Sequence, residues 1–106
     1  MKLGIILYSA DAEAVWNALR LSNFSKNQGD EVSVFLVAKG VECENIGTDK
    51  YDIKGQMMEF HRNGGKILAC GTCLKFRNMP GTEICPLSTM KDLYDIIKTH
   101  DKVVSF

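Results

Sequence analysis

The chain has 106 residues, 45% of them hydrophobic and 25% charged, with 13 Lys+Arg balancing 13 Asp+Glu. This length suits one domain, residues 1–106, which can bury roughly two-thirds of its unfolded surface without staples. The zero net charge supplies no global field toward nucleic acid or an anionic membrane, the composition is not that of a disordered chain, and no apolar run reaches the ~20 residues of a membrane span.

Leu3–Tyr8 is a short, nearly continuous apolar run after Met1–Lys2, too short for a secretory h-region and without its cleavage site. It reads as a strand buried on both faces, in a protein expected to be cytoplasmic. Asp11 then caps a helix whose apolar stripe is Ala12, Val15, Trp16 and Leu19, with Gly29 just past its end. Glu31–Val37 is a β-branched and aromatic second strand. Lys39–Thr48 reads as a polar loop that carries Cys43. A second helix is expected from Thr48 or Asp49, with Ile53, Met57 and Phe60 inward and Gly64–Gly65 as its stop.

Lys66–Cys70 is the third strand. A short helix follows from Gly71 to about Met79, closed by Asn78 or by the Pro80–Gly81 turn, and Glu83–Cys85 is a brief fourth strand ahead of Pro86. Ser88 or Thr89 caps a last helix with Met90, Leu93, Tyr94 and Ile97 as its stripe, and Lys102–Phe106 closes the chain as a strand. Trp16, Phe60, Met57, Met58 and Met90 recur at helical spacing and read as core. Strands alternating with helices predict a mainly parallel sheet of about five strands in a three-layer α/β/α sandwich.

Ligands of such sheets collect at the carboxyl ends of strands. Those ends bring together Ser9, Gly40, Gly71 and Thr72 as expected substrate-binding positions, and the topology can place all four cysteines, at 43, 70, 73 and 85, on one edge. In a reducing compartment, cysteine spacing points to metal binding or catalysis before structural disulfides. The strongest local signal is Cys70-Gly71-Thr72-Cys73. A thiol at a strand–helix junction faces free N–H groups and a partial positive charge, which predicts a lowered pKa and a reactive thiolate. Cys70 and Cys73 are therefore the catalytic candidates, with Cys73 in reach as a resolving thiol and Lys75 and Arg77 adding positive charge. Cys43 reads as a small core hydrophobe, and Cys85 fits either core or site, so both stand as accessory thiols.

Two other chemistries use such cysteines. A four-thiolate zinc site from Cys70, Cys73, Cys43 and Cys85 lacks the usual second close pair, and His61 and His100 have no partner spacing, so no metal is expected. A thioredoxin-type site shares the C-x-x-C spacing, but here the motif follows the third strand. There is no G-x-G-x-x-G and no Walker A signature.

The segment LYSADAEAVWNALRLSNFSKNQGDEVSVFLVAKGVE resembles the opening of the DsrE/DsrF-like (sulfur relay) family, in which a strand, an acidic turn and a helix precede a strand reading VxVFLxxxGV. GGKILACGTCLKFR resembles its strand–Cys–helix junction, and STMKDLYDIIKTHDKVVSF its last helix and strand, so the resemblance spans nearly the whole chain. It implies a three-layer α/β/α fold, a cytosolic homo-oligomer (trimer or hexamer), and sulfur relay without a cofactor. In such a relay a cysteine matching Cys70 holds a persulfide and exchanges sulfur with a donor or acceptor protein. Arg77 matches a common basic position and joins Ser9, Gly40, Gly71 and Thr72 as an expected substrate-binding residue. A Gly often follows that Arg; here Asn78 stands instead, and Asn tolerates left-handed backbone. Cys73 is an addition to the one-cysteine pattern and could attack a persulfide. The leading expectation is sulfur carriage on Cys70; the alternative is a thiol–disulfide switch or interaction module using Cys70 and Cys73, and a structural zinc module comes third.

Overall fold

Apolar, β-branched runs broken by capped helices produce a strictly alternating chain. The computed structural model describes residues 1–106. It runs β1 (Lys2–Leu7), α1 (Ala12–Asn27), β2 (Glu31–Leu36), a 3-10 segment (Ala38–Asn45), α2 (Ile53–Arg62), β3 (Lys66–Cys70), α3 (Gly71–Phe76), β4 (Leu87–Ser88), α4 (Met90–Thr99) and β5 (Lys102–Ser105). The five strands are all parallel in the order β4-β3-β2-β1-β5. The fold is the expected α/β sandwich. Ile5 and Leu7 of β1, Val34, Phe35 and Leu36 of β2, and Ile67 and Ala69 of β3 are buried, and with Val15, Ala18, Leu19, Ile53, Met57 and Phe60 they make one core.

Local chemistry sets the helix ends. The Asp11 carboxylate accepts the Ala14 N–H at 2.9 Å, and the α1 end gives way at Gly29, whose φ of +93° suits glycine. Helix α2 starts later than Thr48 or Asp49. Thr48 instead accepts the Tyr51 N–H in a turn, and Asp52 caps the helix by accepting the Gly55 N–H at 3.0 Å. Helix α3 stops at Phe76, short of Met79. Asn78 takes φ +52°, its N–H donates to the Lys75 carbonyl, and the Met79 N–H donates to the Leu74 carbonyl. That is a Schellman ending with Asn in the glycine position.

Three expectations need correction. The fourth strand is Leu87–Ser88, beyond Pro86, rather than Glu83–Cys85. Thr82 folds residues 82–85 into a turn by accepting the Cys85 N–H, and the Pro86 carbonyl then accepts the Ala69 N–H and starts the ladder to β3. Lys39–Thr48 is largely a 3-10 segment rather than an open loop. Helix α4 lies against β1 along a narrow line, with Ile96 packed over Gly4 and Leu93 half-buried, which leaves Met90, Tyr94 and Ile97 exposed. Met58 is exposed as well, so it and Met90 are not core.

Candidate functional site

Strand β3 runs into α3 with no intervening loop, so Cys70 is both the last strand residue and the N-cap of the helix. Its sulfur accepts the Cys73 N–H at 3.4 Å, as a serine or threonine oxygen would in that position. The side chain lies inside, with only 3% of the residue exposed. Burial pushes the Cys70 thiol up, and the adjacent Cys73 thiol adds to the shift; the Cys73 and Thr72 N–H groups pull the other way and lose. The expected depression is thus reversed in the single chain. Desolvation outweighs the field of a helix only six residues long.

Cys73 sits one turn on and is half-buried. Its sulfur accepts the backbone N–H of Ala38 at 3.2 Å, across from β3 to the start of the 3-10 segment. Ala38 has φ +52°, a left-handed conformation for a residue with a Cβ. The same two segments are clamped by Arg77, whose Nε donates to the Glu42 carboxylate at 2.9 Å and whose Nη1 donates to the Cys73 carbonyl at 3.1 Å. Arg77 is thus bonded to Glu42 and to backbone rather than to either sulfur. Glu42 and Ala38 carried no sequence signal, since an alanine announces no turn and a lone glutamate in a polar segment reads as solvated.

The opposite flank of α3 opens onto a cavity of about 770 Å³, lined by residues that include Gly71, Thr72, Lys75, Leu87 and Thr89. Neither Cys70 nor Cys73 lines it. Gly71 has a packing reason as well, because a Cβ there would press to 2.9 Å from Leu87 and 3.0 Å from the Ser88 carbonyl. Gly40 likewise lets the 3-10 segment pass under β1, where a Cβ would collide with the Leu7 carbonyl oxygen. Ser9 accepts the Asp11 N–H at 2.9 Å in the turn ahead of α1, and no hydrogen bond joins it to the sulfurs.

Cys43 is fully buried, and burial pushes its thiol up to about 12, with Glu44 adding to the shift. Cys85 is buried too, its thiol 3.9 Å from the Glu44 carboxylate; burial and then the neighbouring Cys43 and Glu44 raise it. All four cysteines are free thiols. No group of three His, Cys, Asp or Glu side chains is arranged to hold a metal ion, which leaves the zinc module without a ligand set. His61 is exposed, and His100 faces the Ser33 hydroxyl at 3.2 Å. No helix is long and apolar enough to cross a membrane.

An all-parallel α/β sheet with a thiol pair at a strand–helix junction defines a class of small cysteine-bearing α/β proteins. Within that class the chain belongs to the DsrE/DsrF-like family, whose model matches residues 1–106. An uncharacterized protein of Methanocaldococcus jannaschii is 29% identical over 115 aligned positions, with both chains fully covered. An uncharacterized protein of Methanopyrus kandleri is 28% identical over 100, covering 89% of this chain and 83% of the relative. The crystal structure of the ychN protein from E. coli superposes with a TM-score of 0.89 at 22% identity, covering 100% of this chain and 99% of that one, a likeness of fold.

Proposed function

We propose that this chain is a sulfur-relay protein that stores a persulfide on Cys70 and passes the outer sulfur to a partner protein. Family membership suggests the relay role. The observation that carries the assignment to Cys70 is its double position as strand end and helix cap, with a backbone N–H already directed at its sulfur. In net terms a donor persulfide R–S–SH and the Cys70 thiolate become R–S⁻ and Cys70–S–SH. The sulfur moves without net oxidation, so the reading needs no cofactor. Gly71 and Thr72, with the cavity beside them, give the partner a surface to dock on next to the thiols, and the exposed Phe76 and Leu87 offer it apolar contact. Arg77 and Gly40 hold the 3-10 segment in place, and Ser9 belongs to the neighbouring strand end.

The protein is further proposed to work as a homo-oligomer, trimer or hexamer, in the cytoplasm. Met90, Tyr94 and Ile97 lie at i, i+4 and i+7 on the outer face of α4, an apolar row a second copy would cover.

The test is mass spectrometry of the reduced protein before and after a polysulfide donor. A gain of whole sulfur atoms, reversed by reductant, located on Cys70 by fragmentation and not retained by Cys70→Ser after desalting, is the expected result. Sulfur that fragmentation locates elsewhere than on Cys70 in the natural chain would overturn the assignment. The second reading, a thiol–disulfide switch, is favoured by the proximity of Cys73 to Cys70. Loss of two hydrogens with no sulfur gain would establish it instead.

A further inference from the structure

The two thiols of the pair are not equivalent. Cys70 is enclosed, at 3% exposure, and its sulfur meets the amides of its own helix turn and the Cys73 thiol, whereas Cys73 is half-exposed. The Cys73 sulfur is also the one supplied with a donor from another segment, the Ala38 N–H at 3.2 Å. That donor is presented by a strained residue. Ala38 and Asn78 are the two non-glycine residues with positive φ, and Asn78 has a helix ending to account for it. Ala38 stands in the turn that the Gly40 N–H closes on the Val37 carbonyl, and it carries a Cβ in a conformation that costs about 1 kcal/mol. Strain of this kind persists where the surrounding structure over-determines it, and here its result is an N–H aimed at a sulfur.

We propose that sulfur enters and leaves the protein through Cys73, and that Ala38 is a positioning residue whose amide holds the Cys73 sulfur as an anion. The transfer step rests on the sulfur-relay reading; the reactivity of Cys73 does not. In that step the Cys73 thiolate takes the outer sulfur of a donor persulfide and releases the donor thiolate. The sulfur then moves inward: the Cys70 sulfur bonds to the outer sulfur of Cys73–S–S⁻, the bond to Cys73 breaks, and the proton of the Cys70 thiol passes to the transferred sulfur. The products are Cys70–S–SH and the Cys73 thiolate, with charge, protons and oxidation state conserved. Delivery is the reverse. Cys70 is the store, because burial shields its persulfide from water, and Cys73 is the port. Arg77 and Glu42, paired with each other, lie beside Cys73, and the Cys70 thiol is its titratable neighbour; the Ala38 N–H is the donor that another segment brings to its sulfur.

Two measurements test this separately. The first is limited alkylation of the reduced protein with iodoacetamide at pH 7 and pH 10, with fragmentation to locate the label. Cys73 should be modified at least about tenfold faster than Cys70 at pH 7. Semisynthesis with the α-hydroxy counterpart of Ala38 replaces the N–H by an ester oxygen and keeps the side chain. It should slow Cys73 alkylation about tenfold at pH 7, the value of one hydrogen bond to a charged sulfur, with the deficit closing at pH 10, above the ordinary range of thiols in general. Equal labelling of the two cysteines, or an ester variant that reacts like the natural chain, would overturn the proposal. A deficit equally large at both pH values would mean a structural role for Ala38 and would overturn its part. The second measurement is the rate of sulfur uptake from polysulfide. Cys73→Ser, checked for folding by circular dichroism, should load Cys70 at least about tenfold more slowly than the natural chain. Loading at the natural rate would overturn the port. If the natural chain takes up no sulfur, the relay reading falls, and the alkylation result still decides which thiol faces solvent as the anion.

Discussion

Gly40→Ala is the substitution whose outcome the geometry sets most tightly. Gly40 is buried and its φ is not in the left-handed region, so alanine meets no conformational penalty there. The cost is steric: the new Cβ would overlap the Leu7 carbonyl oxygen, which already accepts the Val37 N–H at 3.0 Å. Backbone on both sides must move, and neither side is a flexible side-chain tip. Overpacking of this kind costs about 1–3 kcal/mol. For a chain of this size each kcal/mol lowers Tm by about 4–8 °C, so a fall of roughly 10 °C is expected in a calorimetric scan of the reduced protein. Gly29→Ala separates the two kinds of cost, because it has open space but φ +93°; its expected loss of about 1–2 kcal/mol is conformational. Because the 3-10 segment also carries Ala38, Gly40→Ala should slow Cys73 alkylation as well. A Tm within 2 °C (about 0.5 kcal/mol) of the natural chain would refute the close-approach argument. Unchanged stability with lost sulfur uptake would return Gly40 to the substrate-binding role its place after β2 suggests.

Three further outcomes are expected. Arg77→Ala should lower stability by less than about 1 kcal/mol in urea unfolding, because the Glu42 pair is partly solvated; Glu42→Ala should match it, and the double variant should add little. Stability should fall as pH rises above 9, since the unfolded chain ionises Cys43 near 9.0 and the folded chain holds its proton to about 12. Over that window the unfolded state binds fewer protons, so each such thiol contributes a slope of up to about −1.4 kcal/mol per pH unit; Cys85, also raised, adds to it, and Cys43→Ala should flatten the thermal-melt profile measured under reductant. Tyr94→Glu combined with Ile97→Glu should yield monomer by light scattering, with the circular dichroism spectrum of the fold retained because both side chains are exposed in the single chain; an oligomer that survives both charges would place the contact elsewhere.

The alternation of apolar runs with capped helices made the sheet legible from sequence. Asp11, Gly29 and Gly64 mark ends the structure uses, and Asn78 ends α3 as its tolerance of left-handed backbone allows. The Cys70–Gly71 junction was legible because a short apolar strand ran into a glycine. Misreadings arose where tertiary contact overrides local pattern. Glu83–Cys85 has strand-like residues, yet Thr82 turns them away and Pro86 supplies the carbonyl that opens the ladder. The α4 stripe has helical period, but a helix resting on one strand buries only part of it, and Ile96 rather than Ile97 faces inward. The Cys70 thiol carries a shift opposite to the expected one because depth cannot be read from spacing, and depth is what raises it. Ala38 was invisible for a different reason: its conformation belongs to the turn that the Gly40 N–H closes on the Val37 carbonyl, and nothing in its side chain prefers it.

The position of the thiols within the sheet also has a physical cause. In open parallel sheets a crevice forms where the strand order reverses, which here is between β1 and β5. That crevice is spanned by backbone, since the Tyr8 N–H donates to the Phe106 carbonyl at 2.9 Å and the Phe106 N–H donates to the Ile6 carbonyl at the same distance. The next opening is between the ends of β2 and β3. The chain leaves β2 in a wide 3-10 segment and leaves β3 with no loop at all, so the two exits diverge around the start of α3. A side chain at the end of β3 is therefore buried by the sheet, while one turn later a side chain emerges beside the β2 exit. Cys70 and Cys73 occupy those two places. An enclosed sulfur and an accessible one, linked through one helical turn, follow from this divergence of the backbone; a serine at either place would leave the fold unchanged and remove one half of the pair.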